Sequence, residues 1–137
     1  MPDVGMAGLS IGELAARGGA KVQTIRYYEQ VGLLPPPPRS QGNQRRYGVD
    51  DLRRLAFIRH GRELGFSIAS IRELLELVDR PQLPCERADA IVAGQLGEVE
   101  RRIQRLNSLK GELERMLDAC GGGRAAECRI LEALSGM

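Results

Sequence analysis

The segment covering residues 89–119 most constrains how this chain can fold. Its apolar residues recur in alternating steps of four and three over about four heptads, and Lys110 occupies the single seam position without an apolar side chain. The stripe consists of Val92, Leu96, Val99, Ile103, Leu106, Leu113 and Leu117. This period predicts one uninterrupted helix whose narrow seam packs against a partner helix as a coiled coil. The chain has no second helix of that length, so the sequence predicts a homodimer.

The N-terminal part of the chain carries the signals of two short helices joined by a turn. Ser10 and Glu13 have the spacing of a capping box, and the glycine pair at residues 18–19 is expected to end the helix that they begin. A second helix is predicted over residues 21–30. Two short helices joined by a glycine-containing turn are typical of a helix-turn-helix.

Prolines, glycines and capping residues divide the segment that follows. The prolines at 35–38 predict an extended connector, because proline cannot continue a helix. Residues 39–47 have Gly-Asn at their centre and basic residues on both sides, which predicts a short hairpin, or wing. Asp50 or Asp51 is expected to cap the next helix, and Ser67 the one after it.

These signals predict a mainly α-helical protein in four parts. The parts are a winged helix-turn-helix domain (9–78), a connector that carries Cys85 (79–88), a dimerisation helix (89–119), and a loop with a short lid helix that carries Cys120 and Cys128 (120–137). The N-terminal part is basic: residues 1–62 hold ten Lys and Arg against five Asp and Glu, and the remainder holds ten against thirteen. A basic head favours binding to a phosphate backbone, although an uneven solvated surface would look the same.

Composition excludes several function classes. Aromatic residues make up 4% of the chain and tryptophan is absent, so an aromatic-lined pocket for an organic ligand is not expected. No apolar run approaches the ~20 residues that span a bilayer, and the N-terminus lacks a signal pattern, so a cytoplasmic protein without membrane contact is expected. The one histidine, His60, has no nucleophile or carboxylate at a recognisable spacing, which argues against an enzyme.

Ordered matches along residues 9–135 resemble the MerR family of transcriptional regulators. The matching stretches are residues 10–15 (SIGELA), 22–29 (VQTIRYYE), 32–35 (GLLP), 42–43 (GN), 45–47 (RRY), 64–67 (LGFS) and 71–75 (IRELL). The resemblance implies a dimer that binds double-stranded promoter DNA and acts on RNA polymerase through the shared promoter. Metal binding would change how the DNA is bent and untwisted.

The resemblance also implies which residues contact DNA. The expected set is Gln23, Thr24, Arg26, Tyr27 and Tyr28 on the recognition helix, with Arg45 and Tyr47 on the wing. Residues near the start of a recognition helix reach base edges, and hydroxyl groups bind phosphates. Gln23 and Arg26 are expected nearest the bases, and one of the two adjacent tyrosines is expected to pack inward instead.

The three cysteines lie at the two ends of the long helix. Cys85 precedes it, Cys120 follows it, and Cys128 comes after a seven-residue loop with three glycines. At ~1.5 Å per residue the helix separates Cys85 from Cys120 by roughly 50 Å within one chain, so they cannot share an ion there. If two long helices pair antiparallel, Cys85 of one subunit lies beside Cys120 and Cys128 of the other. Three thiolates then form a soft metal site; buried, incidental thiols are the alternative interpretation.

The resemblance narrows the choice of metal ion but does not identify a single ion. A cysteine at the position of Cys85 is typical of family members that sense divalent ions, and Ala119 stands where zinc sensors of the family have a further cysteine. The predicted cofactor is therefore Cd(II), Pb(II) or Hg(II), with Zn(II) less favoured. The seven-residue loop is also similar to that of copper sensors, so a Cu(I) regulator stays open, as does a redox- or electrophile-sensing regulator on the same head. Iron–sulfur sensing is disfavoured because only three cysteines are present.

Overall fold

The computed structural model describes residues 8–37, 46–119 and 123–136. They form six α-helices and one 3-10 turn: α1 (Ile11–Gly18), α2 (Val22–Gln30), α3 (Val49–Glu63), α4 (Ile68–Asp79), α5 (Glu86–Ala119), the turn Ala125–Glu127, and α6 (Arg129–Leu134). The predicted, mainly helical fold is confirmed. The contacts divide the chain into two units, Met1–Ile91 and Val92–Met137, and each is described by itself.

The predicted capping box begins α1. The Ser10 hydroxyl oxygen accepts a hydrogen bond from the Glu13 amide at 3.1 Å, and the Ser10 amide donates to Glu13 Oε1 at 2.9 Å. These bonds to Ser10 lower the pKa of the Glu13 carboxyl below its ordinary value. The stabilisation is therefore present above that ordinary pKa and is lost as the pH falls through the lowered one. At the other end of α1, Gly19 adopts a left-handed conformation with φ of 65° and closes the helix.

Gly18 lets α1 approach α3 closely. A Cβ atom built at this position would lie 2.3 Å from Cδ2 of Leu55, a side chain that is fully buried. No real side chain tolerates that distance, so a larger residue would push the two helices apart. Gly19 is therefore required by the turn that ends α1, and Gly18 before it is required by the packing against Leu55.

Gly18→Ala is expected to lower the free energy of unfolding by about 1–3 kcal/mol, because the added methyl group overpacks the contact with Leu55. Gly12→Ala is the matched control. Gly12 is exposed in the same helix, and its Cβ would meet only the Ser10 hydroxyl at 3.9 Å. The control should be neutral or up to about 1 kcal/mol more stable. Urea denaturation followed by circular dichroism measures both; equal stability of the two variants would contradict the packing argument.

The cap of α3 differs from the prediction. The helix begins at Val49 with Gly48 as the capping residue, so neither Asp50 nor Asp51 is the N-cap. Asp51 instead sits in the first turn, where its Oδ2 accepts a hydrogen bond from the Gly48 amide at 2.8 Å. The acidic pair still favours the helix start, since carboxylates stabilise the positive end of the helix dipole. In α4 the predicted cap is confirmed: the Ser67 hydroxyl accepts from the amide of Ser70 at 3.0 Å.

The core of the first unit is formed by α1 to α4 and by the segments between them. Its buried hydrophobic residues are Leu9, Leu14, Ala15, Ile25, Tyr28, Leu33, Leu34, Tyr47, Leu55, Ile58, Phe66, Ile71 and Leu75. Leu9 and Tyr47 pair as an antiparallel bridge, with N–O distances of 2.7 and 2.8 Å in the two directions. Most of the predicted wing, residues 39–45, lies outside the described residues. Its described end, at Tyr47, is joined to Leu9.

The long helix begins earlier than predicted. It starts at Glu86 rather than at residue 89, and the Cys85 carbonyl accepts the first helical hydrogen bond, from the Asp89 amide at 3.1 Å. Cys85 is thus the N-cap of α5, and the connector shrinks to residues 80–85. The start of α5 is tied to α4 by an ion pair of 2.7 Å between Arg87 and Glu73. Hydrogen bonding to Arg87 lowers the pKa of Glu73. None of the described helices is both long and apolar enough to cross a membrane.

Candidate nucleic-acid interface and candidate metal-ligating thiols

One face of α2 presents polar side chains to solvent. Gln23, Arg26 and Tyr27 are exposed at helical spacings of three and four, and Thr24 is half-buried beside them. Ile25 lies on the opposite side and is fully buried. Because α2 is the second helix of a helix-turn-helix, this exposed face is the one available to base edges and phosphates.

Gln30 extends the exposed face of α2 by one turn. It lies seven positions after Gln23 and is also exposed. Gln30 is not among the predicted DNA contacts, although the 3.6-residue periodicity of the helix places it on this face. The candidate interface on α2 therefore covers two turns of helix.

Two of the tyrosines expected at DNA are core residues instead. Tyr28 is 7% exposed and Tyr47 is 1% exposed, while Tyr27 keeps 47% of its surface. The Tyr47 hydroxyl donates a hydrogen bond of 2.7 Å to Oε2 of Glu29, which joins the described end of the wing to α2. Tyr28 is the tyrosine of the adjacent pair that packs inward, as expected of one of them. Burial leaves neither Tyr28 nor Tyr47 a surface for the predicted contact. Arg45, the other wing residue of the set, lies outside the described residues.

Several arginines of the head bind backbone carbonyls within the protein. Arg59 Nη1 donates to the carbonyl of Gly18 at 2.6 Å, and Arg54 Nε donates to the carbonyl of Leu33 at 2.8 Å. In the same way Arg72 donates to the Val31 carbonyl, just after α2. The Gly18 and Val31 carbonyls lie at helix ends, where carbonyls lack helical partners, and the guanidinium groups satisfy them. Some of the basic side chains of the head therefore stabilise its fold.

The two described cysteines both lie at helix starts. Cys85 is exposed at the N-cap of α5, and Cys128 is half-buried between the 3-10 turn and α6. Cys120 lies outside the described residues. Within residues 8–37, 46–119 and 123–136, no three His, Cys, Asp or Glu side chains of one subunit come together as a metal site.

The apolar seam of α5 is not covered by any of the residues that the structure describes. All seven apolar seam residues are exposed, from 38% for Val99 to 68% for Leu117. None of the residues of α5, which is described over its full length, is buried. Leaving so many large apolar side chains in water along one stripe is unfavourable, and such stripes mark sites of association.

Comparison with known proteins identifies the family. Residues 9–77 match the family described as MerR HTH family regulatory protein, and residues 52–116 match the family described as MerR, DNA binding. The first covers the helix-turn-helix and α4, and the second runs from α3 into the apolar seam. The two matches together span both units of the structure.

The individual relatives are similar over nearly their whole length. The HTH-type transcriptional regulator ZntR of Escherichia coli K12 is 46% identical over 127 residues, which covers 90% of each chain. A probable heavy metal-dependent transcriptional regulator of Haemophilus influenzae is 38% identical over 93% of this chain and 100% of its own. The crystal structure of PbrR691 from Ralstonia metallidurans CH34 in complex with lead(II) is similar with a TM-score of 0.82 and 40% identity, over 92% of this chain and 98% of that one.

These relatives are transcriptional regulators and not enzymes. The exposed polar face of α2 and the cysteines at the helix starts agree with that role. The family matches cover the DNA-binding head, and the whole-chain similarity includes proteins whose regulation or structure involves a heavy metal. The chain belongs to the MerR family of helix-turn-helix regulators and is a metal-responsive, DNA-binding member of it.

Proposed function

We propose that this protein is a homodimeric promoter-bound regulator in which each metal ion is held by both subunits. Cys85 of one subunit and Cys120 and Cys128 of the other supply three thiolates to a divalent ion: Cd(II), Pb(II) or Hg(II), with Zn(II) less favoured. The observation that carries the proposal is the position of Cys85. It caps one end of α5, a 34-residue helix with an exposed apolar seam, and Cys120 directly follows the other end.

The dimensions of α5 support a site that two subunits share. A 34-residue helix is about 51 Å long, so its two end cysteines are too far apart to bind one ion together. Antiparallel pairing of two copies through the seam would bring the N-cap of one helix to the C-terminal end of the other. Each dimer would then hold two equivalent sites, one at each end.

The donor set fits a soft ion. Thiolates prefer thiophilic ions such as Hg(II), Cd(II) and Pb(II), whereas Zn(II) commonly takes four ligands. Ala119 offers no fourth ligand beside Cys120, and residues 121–127 contain no histidine. The lead(II) complex of PbrR691 supports this choice, since that protein is similar over 92% of this chain. The bound ion would supply charge neutralisation and a geometric link between the subunits.

Metal capture would change transcription through the connection between α5 and the head. Only residues 80–85 separate α4 from α5, and the ion pair of Arg87 with Glu73 joins them. A ligand bond at Cys85 therefore acts close to α4, which packs on α3. A population shift requires the ion to bind the activating conformation more tightly than the repressing one. The altered head geometry would change the bending and untwisting of the promoter for RNA polymerase.

Gln23, Arg26 and Tyr27 would make the principal DNA contacts of each head. They are exposed on one face of α2, with Thr24 half-buried at its edge. Arg45 of the wing would bind phosphate. An arginine and a glutamine can each make bidentate contacts to a base edge, and a tyrosine hydroxyl can bind phosphate. Buried Tyr28 and Tyr47 would instead hold α2 and the base of the wing in position.

A Cu(I)-responsive regulator is the second candidate, favoured by the seven residues between Cys120 and Cys128. Cu(I) accepts fewer thiolates, so it would not need Cys85. Transcription measured with Hg, Cd, Pb, Zn and Cu at matched free-ion levels distinguishes the two candidates. A response to copper that survives Cys85→Ser would favour Cu(I). Loss of the response to a divalent ion in the same variant would favour the three-thiolate site.

The shared site is tested by mixing subunits. Heterodimers of a Cys85→Ser chain with a Cys120→Ser chain are expected to bind one divalent ion with the affinity of the unmodified protein. One of their two sites would keep all three thiolates, whereas each variant homodimer would have none complete. Anaerobic titration with Cd(II), followed by the sulfur-to-metal charge-transfer absorption, measures the number of ions bound.

The matched control carries the same two substitutions on one chain. A heterodimer of the doubly substituted chain with an unmodified chain should have no complete site, because each site would lack one thiolate. If this heterodimer binds one ion tightly and the first one does not, the cysteines act within one subunit, and the shared site is wrong.

A further inference from the structure

Lys110 interrupts the apolar seam of α5. The seam has eight positions at heptad spacing, and seven of them are apolar and exposed. Lys110 fills the eighth, is exposed as well, and lies one heptad after Ile103. A single polar residue in such a seam lowers stability but can specify how two helices pair. The residues that surround this lysine differ between the two possible directions of pairing.

A parallel pair would bring the two lysines together. Each layer of a parallel coiled coil contains the same residue from both helices, so Lys110 would face its own copy within an otherwise apolar seam. Two like charges in one layer repel each other, and partial burial strengthens the repulsion. All other seam layers would be apolar in this arrangement, so the lysine layer alone disfavours it.

An antiparallel pair separates the lysines and keeps every layer filled. In one register the midpoint between residues 104 and 105 of one helix lies opposite the same midpoint of the other. Four pairs of facing residues then form, each present twice. These pairs are Val92 with Leu117, Leu96 with Leu113, Val99 with Lys110, and Ile103 with Leu106. The two lysines then lie about 16 Å apart along the axis, beyond the ~8–10 Å over which salt screens charges.

The facing residue suits a lysine side chain. The aliphatic stem of Lys110 would cover the partner's Val99, and the ammonium group would extend to the edge of the seam. The partner's Glu100 follows that valine at the edge, so an opposite charge lies within reach. A slip of one heptad would leave six apolar or lysine-containing layers instead of eight and move each helix about 10 Å along the other.

We propose that Lys110 determines both the direction and the register in which two copies of α5 pair, through contact with the partner's Val99 and Glu100. The inference rests on the proposed dimer and extends it to the metal site. In the centred register Cys85 lies about 8 Å beyond the level of the partner's Ala119, the residue that precedes Cys120 in the sequence. A heptad slip would move Cys85 about 10 Å along the axis from this level.

The native cysteines report the direction of pairing. Mild oxidation of the metal-free protein, followed by peptide mass spectrometry, should yield intermolecular disulfides of Cys85 with Cys120 or Cys128. In Lys110→Leu the parallel arrangement becomes permitted, so disulfides between two copies of Cys85 should increase at least about fivefold. Lys110→Arg keeps the charge and should retain the pattern of the unmodified protein.

The contact with Glu100 is tested by exchanging charges. Lys110→Glu and Glu100→Lys should each raise the dimer dissociation constant about tenfold, and the double variant should return to within about threefold of the unmodified protein. Glu112→Lys is the control, because it changes a charge on the outer face of the helix, two positions from Lys110. It should change the dimer dissociation constant less than twofold. Sedimentation equilibrium measures all four.

The outcomes separate this inference from the proposed function. Disulfides between two copies of Cys85 as the main product of the unmodified protein would overturn the antiparallel dimer and the shared metal site together. Unchanged disulfides in Lys110→Leu, or additive effects of the two charge reversals, would overturn only the role of Lys110. The predicted increase and the predicted recovery support it.

Discussion

Leu106→Glu is expected to convert the protein to a monomer, with a dimer dissociation constant raised at least about a thousandfold. Leu106 is 63% exposed in the single chain and lies at the centre of the α5 seam. In the proposed dimer it faces the partner's Ile103, so the substitution would bury two unpaired carboxylates per dimer, each at a cost of several kcal/mol. Sedimentation velocity at micromolar concentration measures the change.

The head should remain folded in this variant. The buried core of the first unit includes no residue of the α5 seam, so circular dichroism should show folded α1 to α4. Ser108→Glu introduces the same charge two positions away, at an exposed position outside the seam, and should leave the dimer intact. A Leu106→Glu protein that stays dimeric at micromolar concentration would show that the α5 seam is not the dimer interface.

Arg26→Ala is expected to weaken binding to the promoter by at least about 30-fold. Arg26 is exposed at the centre of the α2 face, and each of the two heads would lose one bidentate base contact worth about 1–3 kcal/mol. The side chain lies outside the core, so the free energy of unfolding should change by less than about 0.5 kcal/mol. Fluorescence anisotropy with labelled promoter DNA at fixed salt concentration measures the affinity.

Arg115→Ala is the matched control for this substitution. It removes the same charge from the exposed surface of α5, in the other unit of the chain. Binding within about twofold of the unmodified protein is expected. Equal losses in the two variants would mean that Arg26 contributes only its net charge, and the proposed base contact would then be wrong.

Features that depend on neighbours in sequence could be predicted. The capping box of Ser10 and Glu13, the cap at Ser67 and the long helix follow from local hydrogen bonding and from the heptad period, and the structure confirms each one. The start of α3 differs from the prediction by two or three residues. An aspartate can accept a hydrogen bond from a backbone amide either at the N-cap position or in the first turn of a helix. The sequence alone does not distinguish the two positions.

Features that depend on tertiary packing could not be predicted. Tyr27 and Tyr28 are chemically identical neighbours, and only the contacts around α2 decide that the second one is buried. The burial of Tyr47 depends on its bridge with Leu9, which lies 38 positions earlier in the chain. A periodic pattern shows which residues share a face of one helix, but not which distant segment covers that face.

The arginine–carbonyl contacts change how salt should act on the complex with DNA. Each lysine or arginine that neutralises a phosphate releases a condensed counterion, and the slope of log affinity against log salt counts such contacts. Arg54 and Arg59 are two of the ten basic residues in positions 1–62, and both donate to backbone carbonyls within the head. Arg54 is also ion-paired with Asp79 at 2.8 Å, so its charge is already balanced within the protein and is less available to phosphate. Composition therefore overestimates how strongly salt weakens the complex, and binding should remain effective at ionic strengths that a fully phosphate-directed head would not tolerate.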